Sequence, residues 1–136
     1  MIKHTELRCG NLVTDQFYDS FKTVLKVESI NEKGINLFIE DNRDWPELCK
    51  YWMEPEHKSE ELFGIPLSEE WLIRAGFEKY SDKEFYIYTS KENEVRFYKS
   101  DSDWNLAYFI TETRYVHQLQ NLYFWLTGEE LTFKDL

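Results

Sequence analysis

Between Leu67 and Phe77 the chain writes both ends of one short helix, Leu67-Ser68-Glu69-Glu70-Trp71-Leu72-Ile73-Arg74-Ala75-Gly76-Phe77. Ser68 is placed to cap the first turn, and Glu69 and Glu70 suit the positive end of the helix dipole. Leu67, just before the cap, can staple onto Leu72. Gly76 can adopt the left-handed conformation that ends a helix, with Phe77 folding back towards Leu72. On both sides of this helix the apolar residues recur with a period of two, which is the spacing of strands. A short helix set between alternating segments points to an α+β chain.

The first half reads as short strands. Gly10-Asn11 marks a turn, and Leu12-Val13 opens an extended segment. Residues 22–30 are rich in β-branched side chains, with Leu25 and Val27 on one face and Lys26 and Glu28 on the other. Asn31-Glu32-Lys33-Gly34 makes a turn, after which Ile35, Leu37 and Ile39 alternate with Asn36, Phe38 and Glu40. These segments predict a small antiparallel sheet strongly enough curved for an SH3-like barrel, without proving closure. Residues 41–61 form an aromatic insert that breaks the alternation. There Asp44 could cap a short helix with Pro46 in its first turn and Glu47 completing a capping box. Leu48, Tyr51 and Trp52 would share a face of that helix, with Leu48 and Trp52 turned inwards. Residues 54–61 read as an exposed polar linker.

The second half predicts an α-β-β-β-α unit. Residues 85–88 are apolar on both faces, as in a central strand covered on both sides. Val95 and Phe97 alternate with Arg96 and Tyr98, and Trp104, Leu106, Tyr108 and Ile110 alternate through a third segment. Polar turns between them predict an antiparallel meander. A final helix is expected over residues 115–126, with Leu119, Leu122 and Leu126 towards the meander and Gly128 as its stop. Phe124 falls on the row of His117 and Gln120, and Trp125 on that of Gln118 and Asn121. A helix apolar nearly all round is normally covered on more than one side, so a second cover is expected there: the first-half sheet, another copy or a different protein. The expected division is residues 1–64 and 65–136, acting as one cooperative unit.

The chain has 136 residues and is 18% aromatic. A domain of that size buries about two-thirds of its unfolded surface, so no disulfide or metal staple is required. Its formal net charge is −10, and each half, split at Pro66, carries 8 basic and 13 acidic side chains. With no local concentration of Lys and Arg, such a chain is repelled by phosphate backbones and anionic membranes. Cys9 and Cys49 belong to no metal-binding or redox pair and read as free thiols, small buried hydrophobes in a reducing cytoplasm. No apolar run approaches the ~20 residues of a membrane helix, and the first residues lack the apolar stretch of a signal peptide.

Ile65-Pro66-Leu67-Ser68-Glu69-Glu70-Trp71-Leu72, Gly76-Phe77-Glu78, the run from Tyr115-Val116-His117-Gln118 to Asn121-Leu122-Tyr123-Phe124, and Leu126-Thr127-Gly128-Glu129-Glu130-Leu131 resemble motifs of a family of small proteins, without an assigned activity, from gut anaerobic bacteria and their phages and prophages. Glu6-Leu7-Arg8-Cys9-Gly10-Asn11-Leu12-Val13 is similar to that family's opening. The resemblance spans most of the chain, is most specific over residues 116–131, and implies a bacterial or phage origin.

No phosphate-binding loop, dinucleotide fingerprint, metalloprotease motif or nucleophile elbow is present. His117 reads as a hydrogen-bonding histidine on a helix surface or interface, and pairs such as Asp101 with Asp103 as solvated turns. No catalytic residue, metal ligand or cofactor is assigned. An excess of aromatic residues on otherwise polar segments favours a protein-interaction module of phage or mobile-element origin. Its candidate partner contacts are Trp45, Tyr51, Trp52, Phe124 and Trp125, with self-association left open. One alternative is a nucleic-acid-associated role. Either Arg8, Lys22 and Lys26 bind strands stacked on Phe38, or the acidic surface imitates DNA. Charge disfavours direct binding. An enzyme without a recognisable motif ranks last.

Overall fold

The computed structural model describes residues 2, 4–15, 24–31, 34–39, 50–53, 62–88, 94–100, 103–106 and 112–134. The chain is α+β and divides into two compact units, Met1–Ile65 and Pro66–Asp135, with Leu136 grouped with the first.

The first unit is a curled, SH3-like antiparallel sheet. A 3-10 turn at His4–Glu6 precedes β1 (Leu12–Asp15), β2 (Leu25–Asn31), β3 (Gly34–Ile39), β4 (Lys50–Met53) and β5 (Leu62–Phe63). The strand order is β4-β3-β2-β1-β5. β1 divides its pairing: Leu12 and Val13 face β2, while Thr14 and Asp15 face β5. That change of partner bends the sheet. β2 and β3 form the expected hairpin, closed at Asn31 and Gly34, with a bulge between Val27 and Ser29. The alternating residues do as their period requires: Leu25, Val27, Ile35 and Leu37 join Val13, Leu62, Ile2 and Leu7 in one buried cluster. Each such aliphatic side chain contributes about 1.5–3 kcal/mol by leaving water.

The turn before β1 is fixed by Asn11. Its Oδ1 accepts from the Arg8 N–H at 2.7 Å, its backbone N–H donates to the Arg8 carbonyl at 3.0 Å, and its own carbonyl accepts from Val27. Cys9 lies on this turn and is exposed with a free thiol, not buried as expected. A residue at a tight turn projects its side chain away from the sheet. The helix expected to begin at Asp44 is overturned over Lys50–Met53, where β4 pairs with β3 in the register Phe38↔Lys50 to Ile35↔Met53. A ladder of backbone bonds to a hydrophobic hairpin outweighs the weak local preference that the spacing suggested. The capping-box residues at 44–47, Leu48 and the linker expected at 54–61 lie outside the described residues.

The second unit is a sheet with helices on one face. α1 (Glu69–Arg74) begins at Ser68, whose Oγ accepts from the Trp71 N–H at 3.4 Å. It ends as the sequence predicts: Phe77 N–H donates to the Leu72 carbonyl at 2.9 Å and Gly76 N–H to that of Ile73 at 3.0 Å. With Gly76 at φ 92°, these bonds make a complete Schellman ending. The sheet is an antiparallel meander in sequential order, β6 (Glu78–Ser81), β7 (Glu84–Tyr88), β8 (Glu94–Ser100), β9 (Asp103–Leu106) and β10 (Glu112–Thr113). The two edge strands, β6 and β10, extend the three-stranded meander read from the sequence.

α2 (Val116–Thr127) closes the unit. Gln118 accepts from the N–H groups of Arg114 and Tyr115 at 2.9 and 3.2 Å, which satisfies the chain just before the first turn. Gly128, at φ 72°, terminates the helix. The core unites Leu72 and Ala75 with Phe77, Phe85, Val95, Phe97, Leu119, Tyr123 and Leu131. The buried stripe of α2 is Val116, His117, Leu119, Gln120 and Tyr123. Leu126, expected to face the meander, is exposed. Past Tyr123 the chain turns at Gly128, and Leu131 is buried in that core instead. The final residues return to α1: Phe133 meets Trp71 edge-on at 5.5 Å, and Lys134 N–H donates to the Arg74 carbonyl at 2.8 Å.

Candidate functional site

Because side chains alternate along a strand, the residues of β7 and β8 that do not face the helices must face outwards. Phe85, Ile87, Val95 and Phe97 point to the core. Glu84, Tyr86 and Tyr88 on β7 and Glu94, Arg96 and Tyr98 on β8 therefore share the opposite face. The register sets them against each other: Tyr86 opposite Arg96, Tyr88 opposite Glu94, and Glu84 opposite Tyr98. β6 adds Glu78, which stands opposite Tyr86. Residues 85–88 were expected to be covered on both sides; Tyr88 is exposed and Tyr86 half-buried.

Arg96 organises this face. Its guanidinium lies 4.9 Å from the centre of the Tyr80 ring and 5.7 Å from that of Tyr86. Its Nε is 2.6 Å from Glu94 Oε1, and its terminal nitrogen 3.2 Å from Glu84 Oε2. These carboxylates raise the Arg96 pKa further above its already high ordinary value, Glu94 first. Tyr86 donates its hydroxyl proton to Glu78 Oε2 at 2.7 Å. That bond is the main reason its phenol holds its proton above the usual tyrosine range. Tyr86 and Tyr88 meet edge to face at 5.6 Å.

Among the described residues of β6, β7 and β8, the result is a surface of tyrosine rings with Glu78, Glu84, Glu94 and an arginine neutralised by two of them. Tyr80 is 67% exposed and Tyr88 61% exposed, while Tyr98 stands partly open beside them. Rings held this way lose little further freedom when a partner covers them.

Of the residues singled out from the sequence, Trp45 lies outside the described residues. Tyr51 and Trp52 fall on β4, opposite Leu37 and Asn36 in the backbone register. Phe124 and Trp125 lie together on the last turn of α2; Trp125 is 76% exposed, and Phe124 and Leu126 are partly so. His117, expected at a helix surface or an interface, is 1% exposed and stacks on Tyr115 at 5.8 Å between ring centres. Among the described residues no group of three or more His, Cys, Asp or Glu is arranged to hold a metal ion, and no helix is long and apolar enough to cross a membrane.

No motif marks the tyrosine face in the sequence, but its strands carry a signal. Aromatic residues occupy the polar phase of both strands, in Glu84-Phe85-Tyr86-Ile87-Tyr88 and Glu94-Val95-Arg96-Phe97-Tyr98. No protein-family model matches the chain, and no curated protein and no solved structure is detectably similar to it.

Proposed function

We propose that this chain is a cytoplasmic protein-interaction module of phage or mobile-element origin, and that its main contact surface is the outward face of β6, β7 and β8. The observation that carries this reading is the exposure of Tyr80 and Tyr88 on a face whose geometry Arg96 fixes from within. Tyrosine and arginine dominate the energetic centres of protein interfaces, because a tyrosine offers a broad ring and a hydroxyl with few rotatable bonds. A purely structural sheet face has no need to order such rings in water.

The net charge of −10 supports a protein partner over nucleic acid. Arg96, held by two carboxylates, has little attraction left for a phosphate. The end of α2, with Trp125, Phe124 and Leu126 open to solvent, is a second contact patch on the side of the sheet that carries the helices.

The test is affinity capture from host or phage-infected lysate after nuclease treatment, with wild-type protein and a Tyr80→Ala/Tyr88→Ala variant compared by mass spectrometry. The expected result is a protein recovered by the wild type and lost by the variant. Recovery of the same proteins by both would overturn the assignment of this face.

A further inference from the structure

Arg96 shows what the tyrosine face can hold. Its guanidinium lies within 6 Å of the centres of two phenol rings, Tyr80 at 4.9 Å and Tyr86 at 5.7 Å, and bonds two carboxylates, Glu84 and Glu94. The same pairing of ring and carboxylate occurs twice more on this face. Tyr88 stands directly across from Glu94, and Tyr98 directly across from Glu84. In the bonds to Arg96, Glu94 engages through Oε1 and Glu84 through Oε2, and each carboxylate has a second oxygen. The rings of Tyr88 and Tyr98 stand open to solvent, at 61% and 38% exposure.

We infer that this face binds an extended polypeptide segment carrying arginine side chains, whose guanidinium groups dock on Tyr88 with Glu94 and on Tyr98 with Glu84 as Arg96 docks on its own neighbours. The inference rests on reading this face as the contact surface and adds the chemistry of the partner. Among the described residues of β6, β7 and β8 on this face, Glu78, Glu84 and Glu94 outnumber Arg96, and a chain of charge −10 steers a basic segment towards it. A guanidinium gains from ring and carboxylate together, because its faces stack while its edge donates.

Geometry also sets the spacing. Tyr88 and Tyr98 lie at opposite ends of the β7–β8 pairing, with Tyr86 and Arg96 between them. Four residues of strand separate the two subsites, about 14 Å. An extended segment with arginines four positions apart spans that distance.

The test measures binding of a fluorescein-labelled nona-arginine peptide by polarisation at about 150 mM salt, where long-range attraction is screened. Tyr88→Ser/Tyr98→Ser leaves the charge unaltered and is expected to weaken binding about tenfold. Tyr88→Phe/Tyr98→Phe keeps the rings and should bind as the wild type does. Glu28→Gln/Glu130→Gln removes two exposed charges outside this face and should matter little. All three pairs alter side chains on the surface, and circular dichroism checks that each variant is folded. The inference is overturned if the serine pair weakens binding by less than about fivefold, if the glutamine pair weakens it equally, or if no saturable binding occurs. Should lysate capture still depend on Tyr80 and Tyr88 in that event, the interaction face stands and only its basic partner falls.

Discussion

The Arg96 guanidinium lies over the Tyr80 ring, 4.9 Å from its centre, and so reaches across β7 from β8 to the edge strand β6. Side chains, as well as backbone bonds, thus tie the edge of the meander to its middle. Arg96→Met removes the charge and keeps much of the stem. The expected outcome is a folded protein whose melting temperature moves by only a few degrees, since exposed ion pairs contribute little. The Tyr80 ring resonances should lose their structured chemical shifts. Arg96→Lys should fail to restore them, because an ammonium cannot stack as a planar guanidinium does. Unchanged Tyr80 resonances in Arg96→Met would show that another contact holds this ring.

The bond from Tyr86 to Glu78 predicts a pH dependence. Tyr86 keeps its proton above the ordinary tyrosine range chiefly because its hydroxyl donates to Glu78, with burial and nearby charge adding to the effect. Folding therefore favours the protonated phenol. Its contribution is complete below the unfolded value of about 10 and is lost as pH rises through the higher folded value. In Glu78→Gln the Tyr86 midpoint should fall towards the ordinary value in a carbon NMR titration of the phenol ring. Tyr123, raised first by its burial, should not move with it. A Tyr86 midpoint that ignores Glu78→Gln would rule out the bond in solution.

Two glycines end the two helices, and they should differ in cost when replaced. Gly128 sits at φ 72° with no atom within 4 Å of an added Cβ, so alanine there meets only the left-handed backbone penalty, about 1 kcal/mol. Gly76 sits at φ 92°, further from that well, and an added Cβ would come 3.6 Å from Ile87 Cδ1. The contact is an ordinary one, so backbone strain sets the cost, about 1–2 kcal/mol. Urea denaturation should rank Gly76→Ala below Gly128→Ala in stability. The reverse order would place the strain elsewhere.

These two helices were legible because their ends are written in single residues: Ser68 and Gly76 for one, Gly128 for the other. The β2–β3 hairpin was legible for a related reason, since one buried face enforces a strict alternation. β6 was not, because all four of its side chains are exposed and no apolar period marks it. It is a strand because Glu78, Lys79 and Ser81 pair with β7, a fact of tertiary structure. Lys50–Met53 misled for the same reason. Tyr51 and Trp52 fit a helical spacing, and only β3 beside them shows otherwise. The tyrosine face needed the register of β6, β7 and β8 before Tyr80, Tyr86 and Arg96 could be seen together. Residues far apart in the chain carry no local sign of meeting.

β4 has a consequence for the first unit. It covers β3 along Ile35, Asn36, Leu37 and Phe38. Removing residues 44–53 would expose that strand's backbone edge, and an uncovered apolar edge strand recruits other chains. The expected outcome is concentration-dependent aggregation, read by light scattering. A deletion variant that stays monomeric and fully stable would make β4 dispensable to the sheet.

On α2, Tyr123 and Trp125 are two residues apart and in opposite environments. Tyr123 is buried in the core, while Trp125 is 76% exposed. Tyr123→Ala removes a packed ring and should cost about 3–5 kcal/mol. Trp125→Ala removes little buried area and gains slightly in helix propensity, so stability should change by no more than about 0.5 kcal/mol. Urea denaturation at two protein concentrations distinguishes what Trp125 does in solution. A small effect, the same at both, fits an open side chain kept for a different partner. A loss above about 1 kcal/mol that grows with protein concentration would mean that a second copy covers the end of α2, since self-association stabilises by mass action. A loss of that size independent of concentration would mean that Trp125 packs within its own chain, and the end of α2 would then cease to be a contact patch.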